Sequence, residues 1–327
     1  MKEPKEDEKG FALMLKTVKL DRKREKRDRS LMGRALLSYA QCKSQSKFLL
    51  RFSQKEINKM SPSELIAIYK TVVEYYKTEI SYVGNVSLND IKSALEKEVD
   101  LFSNDKEEPY LERERAPLSK NKVIIVHDKK AIQSQVYFYI PDDKRDFSEY
   151  AKLKAFNSYF AGGFSGIITQ EIREYRSLAY STGGGYIFPV KSNAFFYGYI
   201  GCQADKTIKA ITVLDSLMNN MPQKPERINS LQKSLKLSTV SSYPNFKKLD
   251  EHISYYQNQG FKQDPNIDAY QQYENLTMDQ IVKFYESSIK GKPRVITIYG
   301  DKSKMDQDQL KQFGEVEIIQ LKEVIKF

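Results

Sequence analysis

The sequence predicts an α+β protein in which helices pack on a mixed, largely antiparallel sheet and one domain type occurs twice, the first domain incomplete. Three observations predict this. Strand-like runs outnumber the helices that could serve as direct βαβ crossovers, which argues against an all-parallel sheet. A segment in the first third of the chain matches one near its end at a constant offset of 216 residues. The 327 residues therefore hold about one and a half units of that length.

The repeat has no gap: residues 61–90, SPSELIAIYKTVVEYYKTEISYVGNVSLND, lie against 277–306, TMDQIVKFYESSIKGKPRVITIYGDKSKMD. Tyr69/Tyr285, Ile80/Ile296, Gly84/Gly300, Ser87/Ser303 and Asp90/Asp306 are identical, against about two matches expected by chance. The shared pattern says more than the identities. A Ser or Thr N-cap opens an amphipathic helix, an alternating strand follows, and Gly-Asn or Gly-Asp begins a turn with Ser two residues later. On this period, residues 1–104 are the second half of one domain, 105–121 are a linker, and 122–327 form a complete domain. A half-domain leaves a sheet edge and an apolar helix face uncovered, so it calls for a partner or for its other half.

The elements follow in order. Residues 9–45 read as two helices, with Phe11, Met14 and Val18 and then Leu31, Leu36, Leu37 and Tyr39 at helical spacing. Lys16–Arg29 is strongly basic, but Asp21, Glu25 and Asp28 are interleaved and no aromatic is present, the pattern of a solvated, charge-laced helix rather than a nucleic-acid arm. A helix over Pro62–Tyr76, capped by Ser61, precedes a strand over Glu79–Val83. The polar, proline-bearing linker comes next. VIIVH and SQVYFYI are strands, followed by a helix with Phe147, Tyr150, Leu153, Phe156 and Phe160 along one side. AGGFSG breaks the chain, IITQEIREY resumes as a helix, and AYSTGGGYIF with NAFFYGYIGCQ forms an antiparallel pair. Helices fill 205–288, and strands at 294–299 and 315–320 close the unit.

Composition narrows the function. With 40% apolar and 29% charged residues the chain is globular, and its net charge of +10 is spread along it. No apolar run approaches the roughly 18 residues of a membrane span, and the first ten residues carry no signal-like apolar stretch. Cys42 and Cys202 are isolated thiols, so neither a disulfide framework nor a zinc knuckle is indicated. His127 and His252 show no HxxxH or HxxEH spacing and cannot readily build a three-ligand zinc site. One closes a strand and the other lies on a helix, and both read as structural.

Residues 157–185, NSYFAGGFSGIITQEIREYRSLAYSTGGG, carry the chemistry. Gly162 and Gly163 end one helix, Ser165 caps the next, and Arg173 lies on it. Tyr180 follows seven residues on, after Leu178 has turned the chain into a strand. A forked guanidinium and a phenol facing one cavity would suit a peptide carbonyl or an oxyanion. AGGFSG matches neither GxGxxG nor GxxxxGKS/T, which argues against nucleotide binding.

This stretch resembles the insulinase/pitrilysin family of zinc metallopeptidases, the inverzincins, and specifically their C-terminal, non-zinc half. The family pattern is a glycine pair with Phe-Ser, then a helix reading EIRExRgLAYs. Gly162, Gly163, Phe164, Ser165, Glu171, Ile172, Arg173, Glu174, Arg176, Leu178, Ala179, Tyr180 and Ser181 occupy those positions, with Ser177 where the family has glycine. ISYVGN and ITIYGD resemble the strands that end the family's duplicated domains, so the resemblance extends over essentially the whole chain.

The resemblance implies two halves that close like a clamshell around an unfolded peptide. The N-terminal half holds zinc on HxxEH and a distant Glu. The C-terminal half supplies an Arg/Tyr pair, here Arg173 and Tyr180, that binds substrate backbone and supports the tetrahedral intermediate. Gly162, Gly163, Phe164 and Ser165 would shape the motif. The expectation is a substrate-binding portion with no catalytic residue, metal or cofactor of its own, the zinc sitting on the absent catalytic half, and no activity alone. Its implied partners are that zinc-bearing half or a partner subunit, a peptide substrate and a second copy in a homo-oligomer, with no nucleic acid. The alternative is a catalytically inert structural or assembly subunit, like the family's respiratory-complex relatives. Compartment is left open: a bacterial, exported full-length protein would place the chain in the periplasm, and otherwise it is cytoplasmic.

Overall fold

The computed structural model describes residues 4–75, 80–98, 114–143, 147–189 and 192–327. The helices are α1 (Glu8–Glu25), α2 (Arg29–Cys42), α3 (Pro62–Tyr75), α4 (Leu88–Glu98), α5 (Tyr150–Phe156), α6 (Thr207–Asn219), α7 (Ile228–Ser241), α8 (Leu249–Asn258), α9 (Pro265–Gln272), α10 (Met278–Ser288) and α11 (Gln307–Lys311), with shorter turns between them. Six strands, β1 (Lys122–His127), β2 (Gln133–Pro141), β3 (Ser181–Ile187), β4 (Phe195–Gln203), β5 (Val295–Gly300) and β6 (Glu315–Ile319), form one sheet in the order β3-β4-β2-β5-β1-β6. β1 runs parallel to β5 and β6, whereas β2 is antiparallel to β4 and β5, and β3 is antiparallel to β4. The sheet is thus mixed, with antiparallel ladders in the majority.

The uninterrupted apolar runs lie at its centre because both faces there are covered. Val123 and Ile125 of β1, with Val136, Phe138 and Ile140 of β2, face one core; Ile124, Val126 and Tyr139 face another. α5, α6 and α10 cover the first. Their packing is aromatic, with Phe156 stacked on Phe160 at 5.3 Å and against Phe284 at 5.1 Å. α10 shows how sequence sets its seat. Thr277 and Gln280 form a reciprocal capping box, and Met278, Ile281, Phe284, Tyr285 and Ser288 make a buried stripe at helical spacing.

The second face is covered by α2, whose Met32, Ala35, Leu36 and Ala40 pack with Ile124, Val126, Tyr139, Val295 and Tyr299. Gly33 permits the close approach, since a Cβ there would lie 2.7 Å from that of Gln135. Arg29 at the helix start reaches Asp128 (3.3 Å) and the Lys130 carbonyl (2.7 Å). α1 buries no residue and is tied on by charge: Glu25 accepts from Arg22 and Arg51, and Arg51 also donates to the Lys326 carbonyl. The basic helix is therefore the charge-laced one its sequence describes.

Three expectations need correction or bounding. The helix over Pro62–Tyr76 is present as α3, with Tyr76 outside the described residues. Of the strand over Glu79–Val83, Glu79 is outside them, and 80–83 form no strand. A strand requires a neighbouring backbone; the matching β5 has β2 and β1, and residues 80–83 have no ladder partner among the described residues. Of the linker, 105–113 lie outside the described residues, while Glu114 N–H donates to the Gln45 side-chain oxygen and Ala116 N–H to the Gln41 carbonyl.

Candidate functional site

The site lies at the β3 edge of the sheet, where the glycine-bearing break meets the helix that follows it. α5 continues into a π turn, Asn157–Ala161, which stops at Gly162; Gly163 reverses the chain with φ +55°. The next helix starts at Ile167 with Gly166 as its N-cap and no side-chain cap, so Ser165 does not cap it as expected. The reversal is too tight for a side-chain cap. Gly166 N–H donates to the Gly162 carbonyl at 2.9 Å, and a Cβ on Gly166 would stand 2.7 Å from the Gly162 nitrogen. The Ser165 carbonyl instead accepts from Arg227 at 3.1 Å.

This site helix begins as an α turn, Ile167–Thr169, and widens into a π turn, Gln170–Glu174, closed by Tyr175 N–H on the Gln170 carbonyl at 2.9 Å. Widened turns of this kind recur at functional sites. Arg176 reaches back to the Glu171 carbonyl at 2.7 Å and to the Glu171 carboxylate at 2.6 Å, taking up polar groups in the widened turn. The helix ends in a Schellman-like turn in which each bond reaches one residue further back than in the standard motif, in keeping with the π widening: Leu178 N–H donates to the Ile172 carbonyl (2.9 Å) and Ser177 N–H to the Arg173 carbonyl (3.0 Å). Ser177 takes the left-handed conformation this motif requires, φ +51°, where glycine is the usual occupant. Tyr180 N–H then bonds the Gly201 carbonyl at 2.9 Å, and β3 begins one residue later.

Arg173, Glu174, Ser177, Leu178, Ala179, Tyr180, Gln203 and Lys206 line an open pocket of about 360 Å³. The structure therefore brings Arg173 and Tyr180 to one cavity. Tyr180 is 61% exposed, and its hydroxyl has no hydrogen-bond partner among the described residues. Arg173 sits over the Phe164 ring at 5.3 Å, with Nε 3.5 Å from Glu174. Phe164, itself 75% exposed, thus acts on the pocket through the guanidinium it supports. Gly162, Gly163 and Ser165 build the turn and do not line the cavity.

Gln203 and Lys206 are the pocket residues that motif reading missed. Lys206 Nζ donates to the Ser177 carbonyl at 3.1 Å. A signal for them existed: the antiparallel β3/β4 pairing, with Ser181 opposite Gly201, carries the residues after β4 alongside those before β3.

The histidines stay apart. His127 Nδ1 accepts from Lys302 N–H at 3.2 Å, and His252 pairs with Asp264 at 3.1 Å. Both are used structurally, and among the described residues no group of three or more His, Cys, Asp or Glu is placed to hold a metal. Cys202 is buried, and burial pushes its thiol up to about 11, away from nucleophilic use. No described helix is long and apolar enough to cross a membrane.

A search of curated protein sequences finds no match. Solved structures share the fold at low identity. A peptidase M16 inactive domain from Pseudomonas fluorescens aligns with TM-score 0.69 and 14% identity over 91% of this chain and 71% of that one. A conserved protein from Enterococcus faecalis gives 0.70 and 14% over 92% and 70%. The periplasmic protease PqqL from Escherichia coli gives 0.62 and 15% over 89% of this chain but only 33% of its own length. The family model described as the peptidase M16 inactive domain matches residues 59–235, more than half of the chain and the whole of the Gly162-to-Tyr180 motif. The sheet agrees with those structures in fold, and the match over more than half of the chain shows the family: the chain belongs to the peptidase M16 inactive-domain family.

Proposed function

We propose that this chain is the substrate-binding, non-catalytic portion of a zinc metallopeptidase, which closes with a zinc-bearing half or partner subunit around an extended peptide. The observation that carries this reading is the shared pocket of Arg173 and Tyr180, one a forked cation and the other a phenol with an unused hydroxyl. Both are donors, and both suit a peptide carbonyl whose oxygen gains negative charge during cleavage. Because main-chain bonds close the C-terminal turn of the site helix and β3 is laddered to β4, the backbone that carries both donors is set before substrate arrives, which favours groups that lower a barrier by preorganisation. The partner provides the bond-breaking chemistry; this chain binds and orients.

The division into a half-domain, residues 1–104, and a complete domain, 122–327, belongs to this proposal. Its support is the likeness and the contrast between the repeats. Ser61 and Glu64 form the same reciprocal cap that Thr277 and Gln280 form. Yet Tyr285 and Ile296 are buried, while their counterparts Tyr69 and Ile80 are 41% and 47% exposed. The other half of the domain, carried by the partner, would cover α3 and give residues 80–83 their ladder.

The test is reconstitution. Mixed with a family half that carries HxxEH, the chain should restore cleavage of an unfolded fluorogenic peptide, and Arg173→Ala or Tyr180→Phe should each lower turnover by roughly 10²-fold. Undiminished turnover in both variants would overturn the assigned roles. Reconstitution without any peptide binding would favour the inert structural subunit.

A further inference from the structure

The pocket holds more positive charge than a carbonyl-binding pair needs. Its charged lining residues are Arg173, Lys206 and Glu174. Glu174 lies 3.5 Å from Arg173 Nε and so answers one cation. Lys206 has no carboxylate partner among the described residues; its single protein bond is to the Ser177 carbonyl, which uses one of three ammonium donors. That bond holds it. Lys206 is half-buried, and the Ser177 carbonyl that receives it is set by the left-handed turn closing the site helix. Lys206 also sits at the N-cap of α6, a helix of 13 residues, whose first N–H groups add positive potential at the same end. Gln203 adds a carboxamide that can donate as well as accept.

Resting on the peptide-binding reading above, we propose that this pocket selects a carboxylate of the bound peptide, with Lys206 as the selecting residue beside Arg173 and Tyr180. The carboxylate is either the peptide's own C-terminus or an Asp or Glu side chain, since both present the same two oxygens. At about 360 Å³ the pocket suits one or two residues of an extended chain, not a folded surface. Lys206 does not touch the reacting bond in this scheme; it decides which peptide is held.

The test uses the full chain and labelled, flexible peptides of one length, followed by fluorescence anisotropy. The set has a single Glu or its Gln counterpart, each with a free or an amidated C-terminus. The expected result is binding about tenfold tighter for an anionic peptide than for its neutral counterpart, weakened by salt. Whichever substitution removes the preference, Glu→Gln or amidation, identifies the source of the carboxylate. In Lys206→Gln the ratio of charged to neutral peptide binding should collapse towards one, and in Lys206→Arg it should persist. Equal binding of charged and neutral peptides, or a preference that survives Lys206→Gln, overturns this inference and leaves the peptide-binding reading standing. Failure of every peptide to bind overturns both.

Discussion

The side chain of Asn157 grips the main chain of Tyr186 from both sides, accepting its N–H at 2.6 Å and donating to its carbonyl at 2.9 Å. Asn157 opens the π turn that leads into Gly162, and Tyr186 lies on the edge strand β3, so one carboxamide ties the glycine break to the sheet. It also takes up edge groups that would otherwise be open to pairing. Asn157→Ala removes both bonds from a partly buried N–H and carbonyl. A loss of roughly 2 kcal/mol in denaturant unfolding is expected, together with faster amide exchange at Tyr186. Unchanged exchange there would show that β3 is held by β4 alone.

Tyr180→Phe should separate function from stability. The hydroxyl has no partner among the described residues and the ring is 61% exposed, so its removal breaks no protein hydrogen bond. The unfolding free energy should stay within the scatter of surface substitutions, about ±0.5 kcal/mol, with the melting temperature little changed, even where peptide cleavage by the reconstituted enzyme falls. A marked drop in melting temperature would mean that the hydroxyl is engaged within the fold.

Ser177 supplies a third prediction. At φ +51° a serine bears a steric cost that glycine does not. Ser177→Gly should leave stability unchanged or raise it by up to about 1 kcal/mol, while Ser177→Val, with a β-branched side chain in a left-handed position, should lower it by roughly 1–3 kcal/mol. Chemical denaturation of the two variants side by side checks this. A stabilised valine variant would contradict the geometry of the cap.

Acid should loosen the attachment of the N-terminal helices before it unfolds the sheet. Burial raises the Asp128 pKa, but hydrogen bonds from Lys130 N–H, Tyr299 and Arg29 outweigh it and hold the group below its ordinary value. Glu25 behaves alike: burial raises it, and Arg51 and Arg22 prevail. A carboxylate whose folded pKa is depressed contributes stability that is fully present above its unfolded value and is lost as pH falls through the folded one. The loss should therefore begin below about pH 4.5 and deepen with further acidification. Asp128→Asn should cost roughly 1 kcal/mol at neutral pH, and its difference from the parent chain should shrink on acidification. A difference independent of pH would place the effect in packing rather than in charge.

How far the sequence could be read depended on whether the determining contacts are local. α10 was legible because its cap and its stripe, Met278, Ile281, Phe284 and Tyr285, are written within the helix itself. So was the Arg173-to-Tyr180 turn, whose closing main-chain bonds reach back only four and six residues. The residues over 80–83 carry a strand pattern as clear as that of β5, but pairing is a property of a neighbour, and no strand of this sheet stands beside them. Periodicity likewise shows that Leu36 faces a core without showing that the core belongs to β1, β2 and β5. Lys206 escaped for the same reason, since it meets Ser177 across 29 residues and only through the β3/β4 ladder.

The interface between α2 and the sheet contains a polar atom it does not use. Thr297 on β5 is fully buried, and its hydroxyl has no hydrogen-bond partner among the described residues. It lies opposite Tyr137 in the β2/β5 register. Burying a hydroxyl without a partner costs about 1–3 kcal/mol, whereas a methyl of the same size in that place gains packing. Thr297→Val keeps the β-branched shape that suits a strand and removes the unpaired group, so it should raise stability by roughly 1 kcal/mol with no change in denaturant m-value. Because Thr297 is absent from the pocket lining, peptide binding at Arg173 should be unaffected. A destabilised Thr297→Val variant would show that the hydroxyl is satisfied in solution, by a water between α2 and the sheet.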